Sequence, residues 1–152
     1  TGEPVYINEG KVSDAIRASI SLPLVFKPVK YKNSWLSDGG LSAPVPVTIL
    51  KKMGADIIIA VNLLTYYSTN SKNSKTGLGF YKIANDTINI LNHHLANNNV
   101  RDADIVVRPN VGDIGWKNIL TRDGTRKVIV AGEEAMLEKL GELVKISKKR
   151  FW

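Results

Sequence analysis

The sequence predicts an α/β fold, because helical patterns alternate with short, almost wholly apolar strands. Pro46 stands in the first turn of a helix predicted for residues 47–53, and Gly54 ends that helix. Residues 56–61 then form a near-continuous run of apolar, β-branched side chains, which is typical of a strand in a buried parallel sheet. The 152 residues suffice for one domain with a sizeable core, and no internal repeat or second domain is evident.

The remaining elements are predicted from periodicity and turn residues. Residues 5–7 indicate a short strand, and residues 13–19 a short helix with Ser13 and Asp14 at its start. Residues 29–32 and 34–37 are expected to pair as strands joined at Asn33. Beyond them we expect a long loop, a helix, a strand and a final helix, over residues 65–75, 79–97, 104–107 and 126–148 respectively.

Composition excludes several classes of function. The chain is 43% hydrophobic and 23% charged, as expected of a folded, soluble protein, and no apolar run approaches the about 18 residues of a membrane span. It contains no cysteine, so disulfides, thiolate catalysis and cysteine-bound zinc are excluded. We therefore expect a reducing, cytoplasmic location.

Basic residues outnumber acidic residues by 21 to 14, and part of the excess lies at the C-terminus. The cluster comprises Lys145, Lys148, Lys149 and Arg150, and Phe151 and Trp152 follow it. Such a segment is either a solvated helix end whose cations complement the helix dipole or a peripheral contact with a membrane surface. Nucleic-acid binding is disfavoured, because the cations are not interleaved with aromatic side chains.

The most informative stretch is residues 35–41, where an apolar strand ends at Asp38 and two glycines follow. A carboxylate at a strand tip is accessible, while Gly39 and Gly40 would let a substrate approach the backbone closely. Asp-Gly-Gly is also a common turn sequence. A hairpin turn with a solvated Asp38 is therefore the alternative interpretation.

No metal or organic cofactor is expected. His93 and His94 are adjacent in a predicted helix, where side chains point about 100° apart and chelate poorly. No glutamate lies at the spacing of a helical metal motif. The glycines at 77 and 79 lack the third glycine of a dinucleotide-binding loop.

Several segments, taken in order, resemble a known family. They are residues 1–3, 18–28, 35–41, 44–47, 53–61, 103–109, 112–116 and 131–135. In this order and spacing they resemble the second half of a patatin-like phospholipase domain, most closely that of the small bacterial and archaeal members. The resemblance implies a three-layer α/β fold, of which residues 1–152 would be the C-terminal part.

The resemblance also implies a function. The family hydrolyses acyl esters of lipids with a Ser–Asp dyad, and its aspartate lies in an Asp-Gly-Gly/Ala motif. By that likeness Asp38 would be the base that takes the serine proton, and Gly39 and Gly40 would shape the site. Pro23 and Phe26 would belong to an apolar loop beside the acyl group. The implied partner is a lipid or a small ester substrate.

The sequence departs from the family pattern in two ways. Leu24 stands where a glycine is frequent and Lys27 where a proline often lies, which affects the shape of the acyl pocket. No Gly-x-Ser-x-Gly motif occurs in the chain, so the nucleophile is expected from a missing N-terminal half of the domain, and the chain alone should be inactive. The alternative is a non-catalytic α/β binding or regulatory module that retains the scaffold.

Overall fold

A computed structural model describes residues 2–64, 79–112 and 121–151 of the chain. The described residues contain both helices and strands, which is compatible with the predicted α/β class; the three-layer arrangement stays a prediction. The helices are α1 Val12–Ser19, α2 Val47–Lys52, α3 Phe80–Asn99, α4 Arg122–Leu137 and α5 Leu140–Phe151. The strands are β1 Val29–Tyr31, β2 Ser34–Leu36, β3 Ile59–Val61 and β4 Ile105–Val107.

The chain divides into two compact units. The first comprises Thr1–Pro44 and Lys75–Leu95, and the second Val45–Ser74 and Ala96–Trp152. Within the described ranges, no helix combines the length and the apolar character that crossing a bilayer requires. The loop predicted for residues 65–75 lies outside the described residues.

The first unit contains an antiparallel hairpin of β1 and β2, as predicted. Tyr31 pairs with Ser34, which leaves a two-residue connection. Its first residue, Lys32, has a positive φ of 52°. Two-residue hairpins favour such turns because their twist matches that of the strands. β2 ends at Leu36, two residues before Asp38.

Two predictions for the N-terminal segment need correction. The strand predicted for residues 5–7 is wrong, because residues 2–8 pair with no described strand and form no regular structure. β-branched residues extend into a strand only when a ladder partner is present. The helix predicted from Ser13 exists, but Lys11 is its N-cap and provides no side-chain hydrogen bond.

The second unit is built on a parallel pair of strands. Ile59 pairs with Ile105 and Val61 with Val107, so the strand predicted for residues 56–61 is confirmed but shorter. The core beside it consists of Val47, Ile58, Ala60 and Val100, with Val45, Ala103 and Val106 packed against it. Burial of these β-branched and small side chains holds α2 and the sheet together.

The predicted helix after Pro46 is confirmed, with Gly54 at its end in a left-handed conformation of φ 85°. The helix predicted for residues 126–148 is instead two helices, α4 and α5. The first begins earlier than predicted because Thr121 caps it, accepting a hydrogen bond from the Gly124 amide at 3.1 Å. At the break, the Lys139 amide bonds three residues back, to Met136, which tightens the turn.

The parallel strand pair allows a test of the core of the second unit. Ile105 is 1% exposed, whereas its partner Ile59 is 42% exposed. We predict that Ile105→Ala lowers the free energy of unfolding by about 2–5 kcal/mol, through lost burial and a residual cavity. The matched variant Ile59→Ala should cost about 1 kcal/mol or less. Urea unfolding measures both; equal losses would show that β4 is not the buried strand.

Candidate active site

Asp38 lies between β2 and a 3-10 helix formed by Gly39–Leu41. Its backbone is extended, with φ −49° and ψ 128°, so it is the N-cap of that helix. The carboxylate oxygen Oδ1 accepts a hydrogen bond from the Gly40 amide at 2.7 Å. A carboxylate that caps its own turn in this way is fixed in direction.

The loop after α1 holds Asp38 from the other side. The Ser21 carbonyl accepts two hydrogen bonds, from the Asp38 amide at 3.0 Å and from Ser37 Oγ at 2.9 Å. Ser21 is itself buried, and its Oγ donates to the Arg17 carbonyl at 2.7 Å. Sequence reasoning missed Ser21 and Ser37. The only sequence feature that could have indicated their role is their position, one serine before β1 and one after β2.

The Asp38 carboxylate is half-buried and only partly satisfied. Oδ1 is used by the Gly40 amide, whereas Oδ2 receives no hydrogen bond from any residue in the described ranges. None of the described serine hydroxyls donates to either oxygen; Ser68, Ser71 and Ser74 lie outside those ranges. One carboxylate oxygen is therefore geometrically available to an external donor.

Gly39 and Gly40 differ in the space available for a Cβ atom. A Cβ on Gly40 would lie 2.9 Å from Asp38 Oδ1, closer than real Cβ contacts allow. A Cβ on Gly39 would lie 3.4 Å from Ser19 Oγ, an ordinary contact. Gly40 is therefore required by the position of the carboxylate. The predicted catalytic roles of both glycines stay predictions.

Pro23 and Phe26 lie in a turn that follows Ser21. The amides of Val25 and Phe26 donate to the Leu22 carbonyl at 3.2 and 2.9 Å. Pro23 occupies the second position of this turn, and Leu24, at the third, has a φ of 70°. A type II turn demands this positive φ and favours glycine there. No described hydrogen bond connects Pro23 or Phe26 to Asp38, so their place beside an acyl group stays a prediction.

A cavity of about 280 Å³ opens elsewhere in the first unit. Its lining residues come from the segment before α1, from α1 and from β1: Ile7, Glu9, Gly10, Lys11, Asp14, Ala15, Arg17, Ala18, Val29, Lys30 and Tyr31. Asp38 and the two glycines do not line it. The cavity carries both signs of charge and does not indicate one class of ligand.

The histidine pair offers no chelating geometry. The His93 and His94 rings meet edge to face on α3, with centroids 5.6 Å apart. Across the part of the chain that the structure describes, no three His, Asp or Glu side chains converge on one point. The expectation that no metal or cofactor takes part stays a prediction.

Comparison with known proteins identifies the segment around Asp38. The family model described as patatin-like phospholipase matches residues 4–51. Over this segment the chain is similar to the patatin-like phospholipase family. The match contains Asp38, both glycines and the Pro23–Phe26 turn, so the similarity covers the candidate site itself.

Individual relatives match over similarly short stretches. Uncharacterized NTE family proteins of Mycobacterium tuberculosis and Mycobacterium bovis are 39% identical over 62 residues, which are 41% of this chain and 17% of each relative. The lysophospholipase NTE1 of Meyerozyma guilliermondii is 48% identical over 48 residues, 32% of this chain and 3% of that protein. The chain therefore spans a small part of the length of these relatives.

The turn at Leu24 generates a stability prediction. A left-handed backbone costs an L-residue roughly 1–2 kcal/mol, and glycine removes that cost. Because the Leu24 side chain is 56% exposed, its loss sacrifices little burial. We expect Leu24→Gly to be more stable than Leu24→Ala by about 1 kcal/mol in thermal or urea unfolding. An alanine variant equal to the glycine variant would contradict the strained turn.

The contact between Gly40 and the carboxylate generates a second prediction. Gly40→Ala must displace Asp38 Oδ1, since the new Cβ would approach it to 2.9 Å. We expect the variant to remain folded but to lose about 0.5–2 kcal/mol in the free energy of unfolding with the Asp38 cap, whereas Gly39→Ala should lose less. Urea unfolding followed by circular dichroism measures both variants. Equal free energies of unfolding for the two alanine variants would contradict the role of Gly40.

Proposed function

We propose that this chain is part of a lipid acyl hydrolase that cleaves carboxylic esters through an acyl-serine intermediate, with Asp38 as the base. The observation that carries the proposal is the Asp38 carboxylate, which is held by the Gly40 amide through Oδ1 and leaves Oδ2 to another donor. The family match supports it, because residues 4–51 contain this motif. The name lysophospholipase, borne by one relative, indicates a lipid ester substrate.

In the proposed reaction, Asp38 Oδ2 accepts the proton of a serine hydroxyl while the serine oxygen attacks the ester carbonyl carbon. The tetrahedral intermediate collapses, the alcohol leaves with the proton from Asp38, and the acyl group stays on the serine. Water then attacks the acyl-serine and loses a proton to Asp38. The second tetrahedral intermediate collapses, the carboxylic acid is released, and the serine oxygen takes the proton back from Asp38. A dyad of this kind requires the base within hydrogen-bond reach of the hydroxyl.

The residues next to Asp38 would support this reaction by holding Asp38 in place and by shaping the space around it. Gly40 keeps space beside Asp38 Oδ1, and Gly39 adds no side chain to the same short helix. Pro23 fixes the turn that follows Ser21, and Phe26, which is exposed in this chain, would contribute apolar surface to an acyl chain. The Ser21 carbonyl acts as a positioning group, since it binds the backbone before the turn.

The serine would come from another polypeptide stretch, because the chain contains no Gly-x-Ser-x-Gly motif. The outer edge of β3 supports a missing neighbour. Ile58 and Asn62 bond to β4, so the backbone groups of Ile59 and Val61 face the opposite edge, where no described strand pairs with them. Both side chains are exposed, although parallel sheets are normally covered. An added strand would bury this edge.

The second candidate function is a non-catalytic binding or regulatory module. The capping bond from Oδ1 to the Gly40 amide favours it, because that bond alone gives Asp38 a structural purpose. The two functions differ in what they require of the carboxylate. A cap needs only an oxygen acceptor, whereas a base needs a group that can take a proton.

Asparagine at position 38 separates these requirements. Asp38→Asn keeps an oxygen that can accept from the Gly40 amide but removes the base, so stability should be retained. We expect the complete protein to lose about 100-fold or more of its activity on a short-chain nitrophenyl ester. The 152-residue chain alone should show no turnover.

Two controls complete this experiment. Asp56→Asn removes an exposed carboxylate outside the site and should leave activity unchanged. Asp38→Ala should also lose the cap, at a cost of about 0.5–2 kcal/mol in the free energy of unfolding. Full activity in Asp38→Asn would contradict the base, and turnover by the chain alone would contradict the external serine.

A further inference from the structure

The last two helices carry apolar side chains that face solvent. Leu137 ends α4, and Leu140 and Val144 lie in the first turns of α5; they are 60%, 46% and 47% exposed. Residues four apart share a helix face, so Leu140 and Val144 form one stripe on α5. Leu137 precedes this helix by three residues, on the other side of the break. Single exposed leucines are ordinary, but an exposed apolar side chain on each successive turn indicates a contact surface.

Cations lie next to this stripe. Lys145, Lys148 and Lys149 are exposed, and none of them is ion-paired with an acid in the described ranges. Lys139, by contrast, is neutralised by Glu142 at 2.7 Å. Lys148 follows Val144 by one helical turn, so its methylene stem can lie along the apolar stripe while the ammonium group reaches outward.

We propose that α5 docks on an anionic lipid surface, with Leu137, Leu140 and Val144 in the interface and Lys145, Lys148 and Lys149 on lipid headgroups. The positive charge of these lysines, which form no ion pair in the described ranges, favours an anionic lipid surface as the binding partner. A second copy of this chain would bring like charges together, whereas anionic headgroups complement the exposed lysines. A helix with an apolar stripe and free lysines is the typical form of an interfacial helix. The inference rests on the proposed function only in that a lipid hydrolase acts where lipids are, and binding does not depend on catalysis.

Vesicle co-sedimentation tests the docking. The complete protein is mixed with vesicles of phosphatidylcholine and phosphatidylserine, and in parallel with vesicles of phosphatidylcholine alone. We expect binding to the anionic vesicles only, weakening as salt is raised. The triple variant Lys145→Gln, Lys148→Gln, Lys149→Gln should reduce the partition coefficient roughly 100-fold, about fivefold for each lysine.

Matched variants make the result specific. Lys11→Gln, Lys30→Gln, Lys52→Gln removes the same charge from exposed lysines elsewhere and should bind as the parent does. Leu140→Ser with Val144→Ser should lose binding while circular dichroism shows the helices intact. Equal losses in the two lysine triples, or no binding by the parent protein, would overturn the proposal. So would a dimer that the serine variants disrupt in light scattering without any vesicle binding.

Asp38-dependent hydrolysis of a soluble ester distinguishes the two proposals. If vesicle binding fails while that hydrolysis persists, only the docking surface is wrong. If hydrolysis is independent of Asp38 while vesicle binding persists, the docking stands and the proposed chemistry is wrong.

Discussion

The candidate site depends on one backbone carbonyl, that of Ser21. It receives hydrogen bonds from the Asp38 amide and from Ser37 Oγ, so the end of the hairpin is tied to the loop that follows α1. Ser21 is 3% exposed, and its own hydroxyl returns to the last turn of α1. In such a protected place a hydrogen bond is expensive to leave unmade, which keeps the start of the Asp38 turn in one position. The direction of the carboxylate follows from that constraint, because the Gly40 amide then lies within reach of Oδ1.

The same carboxylate can cap a turn and accept a proton, since the two tasks use different oxygens. Oδ1 satisfies the Gly40 amide, while Oδ2 is uncommitted among the described residues. Fixing one oxygen reduces the rotation of the other, so the cap would pre-organise the base. Gly40 is the residue that permits this arrangement, because any Cβ there would collide with Oδ1. Capping and catalysis are therefore compatible.

Local signals predicted much of the fold. Pro46 and Gly54 bracketed α2 correctly, and the apolar runs before Val61 and Val107 became the parallel strands. The failures occurred where tertiary partners decide the outcome. Residues 5–7 have strand-forming side chains but no ladder partner, and the break after Leu137 has no proline or glycine to announce it. For the candidate site, the motif indicated Asp38, but only the structure reveals that Ser21 and Ser37 hold the backbone at this position.

Leu24 connects sequence and structure most directly. The family pattern indicated a glycine at this position, and the backbone here has the positive φ that glycine adopts without strain. Leu24 therefore replaces the glycine of the family pattern without changing the type of turn. Among the described elements β3 has an unpaired edge, where the proposed additional strand would pair.

Covalent capture of the nucleophile tests the central claim most directly. A fluorophosphonate reacts with a serine only when a neighbouring base activates it. Mass spectrometry of the labelled complete protein should find the adduct on a serine outside these 152 residues, and Asp38→Asn should abolish the adduct while the fold is retained. An adduct on a serine within the chain, or undiminished labelling in Asp38→Asn, would contradict the account.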